Sequence, residues 1–127
     1  MLISWIPTPI GDGWDVEPDP VVWLDVGKVE ASFKKNLGHY VGLNGSGAGQ
    51  QSRYDHVGRV IQSGYPIFMP HLSADDDNLI SFTDGRHRFA WVRDHGAKAI
   101  PVSTYPGADS RLEAEFGTLI RECRVIP

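Results

Sequence analysis

The chain of 127 residues has a mass of 14.0 kDa, which is enough for one domain with its own core. Its 41% hydrophobic and 22% charged residues are ordinary for a globular protein and exclude a chain that is disordered, collagen-like or coiled-coil throughout. The net charge of -4 argues against a protein that coats nucleic acid, and one cysteine, Cys123, excludes a disulfide within the chain.

Localisation follows from three further features. The apolar runs are much shorter than the roughly 20 residues of a membrane-spanning helix. Residues 1–7 lack the basic region with which a secretory signal begins. A single cysteine also suits a reducing compartment. We therefore expect a cytoplasmic protein with no membrane insertion.

The first half of the chain predicts an irregular start followed by a strand and two helices. Prolines, glycines and acids alternate through residues 1–20, where we expect an irregular or edge segment. The apolar residues 21–24 predict a strand, and Asp25 is suited to cap a helix over residues 27–37. The apolar stripe of that helix consists of Val29, Phe33 and Leu37. A second helix is predicted over residues 53–62, ending at Gly64.

The second half predicts alternating strands and helices. Strands are expected at residues 66–69, 79–83 and 100–105, and helices at residues 86–95 and 109–121. Pro70 ends the first of these strands. No internal repeat is visible, so we predict one α/β (α+β) domain over residues 1–127, with a mixed sheet and flanking helices.

The most informative segment is Asp84-Gly85-Arg86-His87-Arg88, at the start of the helix predicted over residues 86–95. Gly85 permits a sharp turn, and the first helical turn offers N–H groups without helical partners. A helix N-terminus carries partial positive charge and usually attracts acids, so three basic residues there indicate an anion site, with phosphate the usual biological anion. The alternative is a structural cluster in which Arg86 and Arg88 pair with nearby acids and His87 is a buried histidine.

Together with Ala90, Gly96 and Ile100-Pro101-Val102, this segment resembles the core of the ParB/sulfiredoxin superfamily. The resemblance implies that Gly85, His87 and Arg88 contact nucleotide phosphates, with Asp84 and Arg86 beside them. The chain departs from two branches of the superfamily. Arg86 stands where sulfiredoxins carry their catalytic cysteine, which argues against sulfinic-acid reduction. The chain has no room for the DNA-reading and dimerisation domains of partitioning proteins, which argues against sequence-specific DNA binding.

A closer resemblance is to small plasmid fertility inhibition factors, which block conjugative transfer of a co-resident plasmid. The stretches that carry it are VWLDV at 22–26, YVG at 40–42, GYPIFMP at 64–70 and SFTDGRHRFAW at 81–91. This resemblance implies that the protein binds the coupling ATPase that feeds DNA to the secretion channel, or nearby transfer machinery. The alternative is a nucleotide-dependent enzyme of the same fold, an ATPase, phosphotransferase or nuclease that takes ATP or another nucleotide with Mg²⁺.

Four weaker candidates lie elsewhere in the sequence. Glu30 could act as a general base, or be an exposed residue on a helix face. Asp75 and Asp77 could bind a metal, or form a solvated turn. The glycine-rich residues 42–49 predict a flexible linker, or a lid over the main site. Trp14, in an acidic segment, could contact a protein partner or pack in the core.

Overall fold

A computed structural model describes residues 1–7 and 18–127. The strands are β1 (Trp5–Ile6), β2 (Val21–Asp25), β3 (Ile67–Phe68), β4 (His71–Ala74), β5 (Ile80–Asp84) and β6 (Ala99–Ser103). The helices are α1 (Val26–Phe33), α2 (Gln51–Gln62), α3 (Arg86–Asp94) and α4 (Asp109–Phe116), with a 3₁₀ turn at Leu43–Gly45. The predicted mixed α/β class is confirmed. Trp14 lies outside the described residues.

The main sheet has the strand order β2-β6-β4-β5. β2 and β6 are antiparallel, β4 and β5 are antiparallel, and β4 meets β6 in parallel at His71 and Ser103. A small parallel sheet joins β1 to β3. One continuous core fills the space between the main sheet and the helices, and its fully buried large side chains include Leu24, Phe33, Leu72, Ile80, Phe89 and Ile100.

Both outer edges of the main sheet are covered. At β2, Thr118 N donates to Trp23 O at 3.2 Å. At β5, the side chains of residues on and after α1 take the place of a further strand. Ile80 N donates to Ser32 Oγ at 2.9 Å, Phe82 N donates to His39 Nε2 at 3.0 Å, and Asn36 Nδ2 donates to Ile80 O at 3.3 Å.

Two predicted helices end earlier in the structure than expected, and one strand is additional to those predicted. The first helix ends at Phe33, not at residue 37, and Leu37 is 81% exposed instead of extending the apolar stripe. The last helix ends at Phe116, because Gly117 leaves the helix to form a bridge with Leu24 of β2. β4 was not predicted, since it follows Pro70 and mixes polar with apolar residues. Among the helices of the described residues, none combines the length and the apolar character that a bilayer crossing requires.

Candidate functional site

Gly85 sets the geometry at the start of α3. It adopts a left-handed conformation at φ 88°, where a side chain would be strained. A Cβ at this position would also lie 2.7 Å from Arg88 Nη2 and 2.8 Å from Cα of Pro70. Glycine therefore lets the chain leave β5 and enter α3 directly, with no side chain between the first helical turn and the adjacent space.

Arg86 points into the protein towards the glycine-rich loop. Its Nη1 donates to the carbonyl oxygens of His39 at 2.9 Å and Ala48 at 3.0 Å. These bonds join the two ends of residues 39–48 to the start of α3. The loop is thereby held at several points, unlike the flexible linker predicted from its composition. The Arg86 guanidinium therefore stabilises this loop.

His87 is buried at 6% exposure and also holds the loop. Its Nε2 accepts a hydrogen bond from Gln50 N at 2.9 Å, immediately before α2. Burial lowers the pKa of His87 to about 4, and the charges of Arg86 and Arg53 add to the shift. The imidazole is therefore neutral at pH 7. It can line an anion site there but contributes no charge to it.

Arg88 forms an ion pair within the motif. Its Nη2 lies 2.9 Å from Asp84 Oδ2, one turn earlier, and its Nε is buried without a hydrogen-bond partner in the described part of the chain. The Arg88 side chain is 19% exposed and the Asp84 side chain 59%. This ion pair is exposed on one side, so its contribution to stability is small.

A cleft of about 300 Å³ lies between the starts of α2 and α3, and we call it the α2–α3 cleft. Four of the five predicted residues line it: Asp84, Gly85, His87 and Arg88. The other lining residues come from α2 and are Ser52, Arg53, His56 and Val57. Arg86 is outside this lining, because its side chain is directed to the loop.

The sequence-based prediction does not include the cleft residues of α2, although the sequence of α2 contains a signal for them. Like α3, α2 has no acidic residue in its first turn and no side-chain cap, and it carries the basic residue Arg53 there. Two helix N-termini, Arg53 and Arg88 thus face one cleft. Such an arrangement is suited to a phosphate-type anion, since both the helix dipoles and the guanidinium groups favour negative charge.

Glu30 belongs to a different, buried cluster at the other end of α3. Its Oε1 accepts from Arg93 Nη1 at 3.0 Å, and its Oε2 accepts from Tyr40 Oη at 2.7 Å. Arg93 also pairs with Asp94 at 2.9 Å, and Tyr54 Oη donates to Asp94 at 2.7 Å. Burial alone would lower the pKa of Arg93, but Asp94 and Glu30 outweigh it and raise that pKa. With both oxygens engaged, Glu30 fits a structural role better than the predicted general base.

Asp75 and Asp77 lie in the turn between β4 and β5. Asp75 Oδ1 accepts from the backbone nitrogens of Asp77 and Leu79, both at 2.9 Å, so this carboxylate stabilises the turn. Both acids line a groove with Lys28 and Lys35, separate from the α2–α3 cleft. Within residues 1–7 and 18–127, no group of three or more histidine, cysteine or acidic side chains is placed to hold a metal ion.

Neither the family models nor the curated proteins include a match to this chain. Among solved structures, the chain is similar to the Oncogenic Suppression Activity Protein, described as a plasmid fertility inhibition factor and solved as a gold(I) cyanide derivative. The two share 17% sequence identity with a TM-score of 0.59, over 83% of this chain and 60% of that protein. The chain therefore has the fold of a plasmid fertility inhibition factor and spans less than two thirds of that protein's length.

Proposed function

We propose that this protein inhibits conjugative plasmid transfer from the cytoplasm of the donor cell. The observation that carries the proposal is the similarity in fold to a plasmid fertility inhibition factor over 83% of the chain. The sequence stretches between residues 22 and 91 that resemble this family support it independently. We infer that the inhibitor belongs to the ParB/sulfiredoxin superfamily and binds the coupling ATPase or a neighbouring component of the transfer machinery.

A mating assay tests this proposal. Donors that carry a conjugative plasmid would express the wild-type protein, the Arg88→Ala variant, or an Arg59→Ala control on the exposed face of α2. We expect wild type and Arg59→Ala to lower the number of transconjugants strongly. If Arg88→Ala loses inhibition and Arg59→Ala retains it, the α2–α3 cleft takes part in the inhibition of transfer. Unchanged transfer of several plasmid types by wild-type protein, at verified expression, would contradict the proposal.

A second candidate function is favoured by the α2–α3 cleft. We propose that its two helix starts, with Arg53 and Arg88, bind the phosphates of ATP or another nucleotide with Mg²⁺, as an ATPase, phosphotransferase or nuclease would require. The lining residues fit an anion better than a metal, because Asp84, the carboxylate of the cleft, is already paired with Arg88. Arg53 and Arg88 would orient the phosphates, and the neutral His87, whose Nε2 already accepts from Gln50 N, would donate one hydrogen bond from Nδ1.

Thermal unfolding with ATP, CTP or ADP and Mg²⁺ tests this second function. A ligand at 100 times its dissociation constant stabilises a folded protein by about 2.7 kcal/mol, which gives a clear rise in melting temperature. We expect the rise to be lost in Arg88→Ala and reduced in Arg53→Ala. If millimolar concentrations of all three nucleotides leave the melting temperature unchanged, nucleotide binding is contradicted. Assays of phosphate release and DNA nicking would then separate binding from catalysis.

A further inference from the structure

A groove larger than the α2–α3 cleft lies between α1 and the end of α4, and we call it the α1–α4 groove. Its volume is about 500 Å³, and the turn between β4 and β5 forms its third wall. The apolar part of its lining consists of Ala31, Leu79 and Phe116. The two sites share no lining residue, so a ligand of this groove is separate from a ligand of the cleft.

Hydrogen bonds to Asn78 hold the three walls of the groove together. Ser32 Oγ of α1 donates to Asn78 O at 2.7 Å. Arg111 of α4 donates to Asn78 Oδ1 from Nε at 3.1 Å and from Nη2 at 2.9 Å. Asn78 has a φ of 59°, a left-handed conformation that asparagine tolerates better than most residues. Because the walls are already joined, little conformational entropy is lost from them when a partner binds.

Four charged side chains of the groove take no part in these bonds. Lys28 lies on α1 and Lys35 lies two residues after its end, and neither ammonium group has a partner in the described part of the chain. The carboxylates of Asp77 in the turn and Glu115 on α4 are likewise unpaired there. All four residues are exposed. Charges of both signs thus line one groove without pairing with each other, and each is available to a partner.

This charge pattern restricts the chemistry of a ligand. Lys28 and Lys35 would repel a metal ion, and the three acids of the groove would repel the phosphates of a nucleotide or a nucleic acid. The exposed charged lining also differs from a small-molecule site, which buries most of its ligand. The groove is complementary to a protein segment with an apolar centre, acidic side chains against the lysines and basic side chains against the carboxylates.

We propose that the α1–α4 groove docks a segment of a protein partner that carries charges of both signs around an apolar centre. The proposal rests on the inhibitor function, since it names the surface on which the inhibitor contacts the transfer machinery. Ala31 and Leu79 would provide the apolar contact. The four unpaired charges would orient the segment and exclude partners with a single sign of charge, because like charges brought together at an interface are unfavourable.

The lysines provide a matched pair of variants for the test, because the chain has four, two in the groove and two elsewhere. Lys28→Glu/Lys35→Glu reverses the positive side of the groove, and Lys34→Glu/Lys98→Glu makes the same change in net charge outside it. In the mating assay we expect the groove variant to weaken inhibition about tenfold or more and the control to inhibit like wild type. All four lysines are exposed, so both variants should fold, which urea unfolding checks.

The acidic side has a matched pair on α4. Glu115→Lys changes a residue that lines the groove, whereas Glu113→Lys makes the same change two residues earlier, outside the lining. We expect Glu115→Lys to weaken inhibition severalfold and Glu113→Lys to leave it unchanged. Both glutamates are exposed and form no ion pair in the described part of the chain, so neither change removes a contact that holds the fold.

Three results would overturn the docking proposal while the inhibitor function stands. The first is wild-type inhibition that both groove variants retain. The second is a loss of inhibition on only one side of the groove, which would indicate a partner segment with one sign of charge. The third is a dimer in sedimentation velocity that Lys28→Glu/Lys35→Glu abolishes, which would show that a second copy occupies the groove. A wild-type protein that inhibits no plasmid would instead contradict the inhibitor function and this proposal together.

Discussion

The arginines at the two ends of α3 differ in their burial and in their ion-pair partners. At the C-terminal end, Arg93 is buried and pairs with Glu30, Asp94 and the carbonyl oxygen of Val41. At the N-terminal end, Arg88 pairs with one half-exposed carboxylate, and its neighbour Arg53 forms no ion pair among the described residues. The first cluster joins α1, the glycine-rich loop, α2 and α3, whereas the second leaves positive charge facing a cleft.

The difference indicates which charges maintain the fold and which can serve a ligand. A buried ion that loses its partner destabilises a protein strongly, whereas an exposed pair contributes little. We therefore expect variants at the C-terminal end of α3 to change the free energy of unfolding. Variants of Arg88 at its N-terminal end, and of the neighbouring Arg53, should change ligand binding and leave that free energy nearly constant. Four measurements test this comparison.

The largest effect is expected for Arg93→Ala. It leaves the carboxylates of Glu30 and Asp94 without their cation, and removal of one partner from a buried pair costs about 3 to 5 kcal/mol. Urea unfolding should show this loss in the free energy of unfolding. Arg59→Ala on the exposed face of α2 removes the same side chain where it makes no such contacts and should change that free energy by less than about 0.5 kcal/mol. A loss below 1 kcal/mol in Arg93→Ala would contradict the structural role.

The middle of α3 should be the next most sensitive region. Gly58 of α2 packs directly against the indole of Trp91, and a Cβ there would overlap Nε1 of a side chain that is only 4% exposed. Gly58→Ala should lower the free energy of unfolding by about 1 to 3 kcal/mol, because the rigid ring has to shift. Alanine is intrinsically the better helix former, so a gain in stability would show that the helices have room to separate. Gln62→Ala, exposed on the same helix, serves as the control.

His87 should make stability depend on pH. Its pKa in the folded protein is about 4, below the usual 6.5, so the unfolded chain binds the proton more tightly. The stability that the neutral imidazole contributes is complete above pH 6.5 and is lost as the pH falls towards 4. The slope is at most about 1.4 kcal/mol per pH unit. Burial also lowers the pKa of the half-buried His39, with Arg86 adding to the shift, so His39 contributes in the same direction.

Unfolding midpoints in urea at pH 7, 6 and 5 measure this dependence, because these pH values lie above the range in which most carboxylates titrate. His87→Gln retains a side-chain oxygen that can accept from Gln50 N, and it should flatten the profile between pH 7 and 5. A His56→Gln control removes an exposed histidine of the same cleft. If both variants keep the wild-type profile, the loop is not held by a neutral His87.

The smallest change in stability is expected for Arg88→Ala, because its pair with Asp84 is partly exposed and worth about 1 kcal/mol or less. The same variant should nevertheless abolish the thermal shift produced by a nucleotide. This combination separates a ligand-binding arginine from a structural one. A destabilisation as large as that of Arg93→Ala, with ligand binding retained by the folded fraction, would reverse the comparison between the two ends of α3.

Local patterns were sufficient to predict α3 and its surroundings. Glycines at positions 85 and 96 mark both ends of the helix, and the apolar run after Gly96 forms β6 as expected. β4 could not be found in this way, since its residues become a strand only by pairing with β5 and β6. The end of α4 depends similarly on β2, because Gly117 and Thr118 pair with β2 instead of continuing the helix.

The position of the candidate site could be predicted from the sequence, but the roles of its residues could not. The motif predicted which residues surround the start of α3, and four of them line the cleft. Arg86 and His87 instead bind carbonyl and amide groups of residues 39–50, far earlier in the chain. Such long-range contacts leave no local signature. Arg53 could have been found, because a basic residue at the positive end of α2 is as unusual as those at the start of α3.

The side-chain hydrogen bonds along β5 have a consequence for solubility. An exposed strand edge templates the addition of further strands, and repeated addition produces fibrous aggregates. Ser32, Asn36 and His39 bind the N–H and C=O groups of Ile80 and the N–H group of Phe82 on that edge, so a second chain cannot use these groups to extend a ladder. The addition of a further strand to the main sheet is thereby disfavoured at β5.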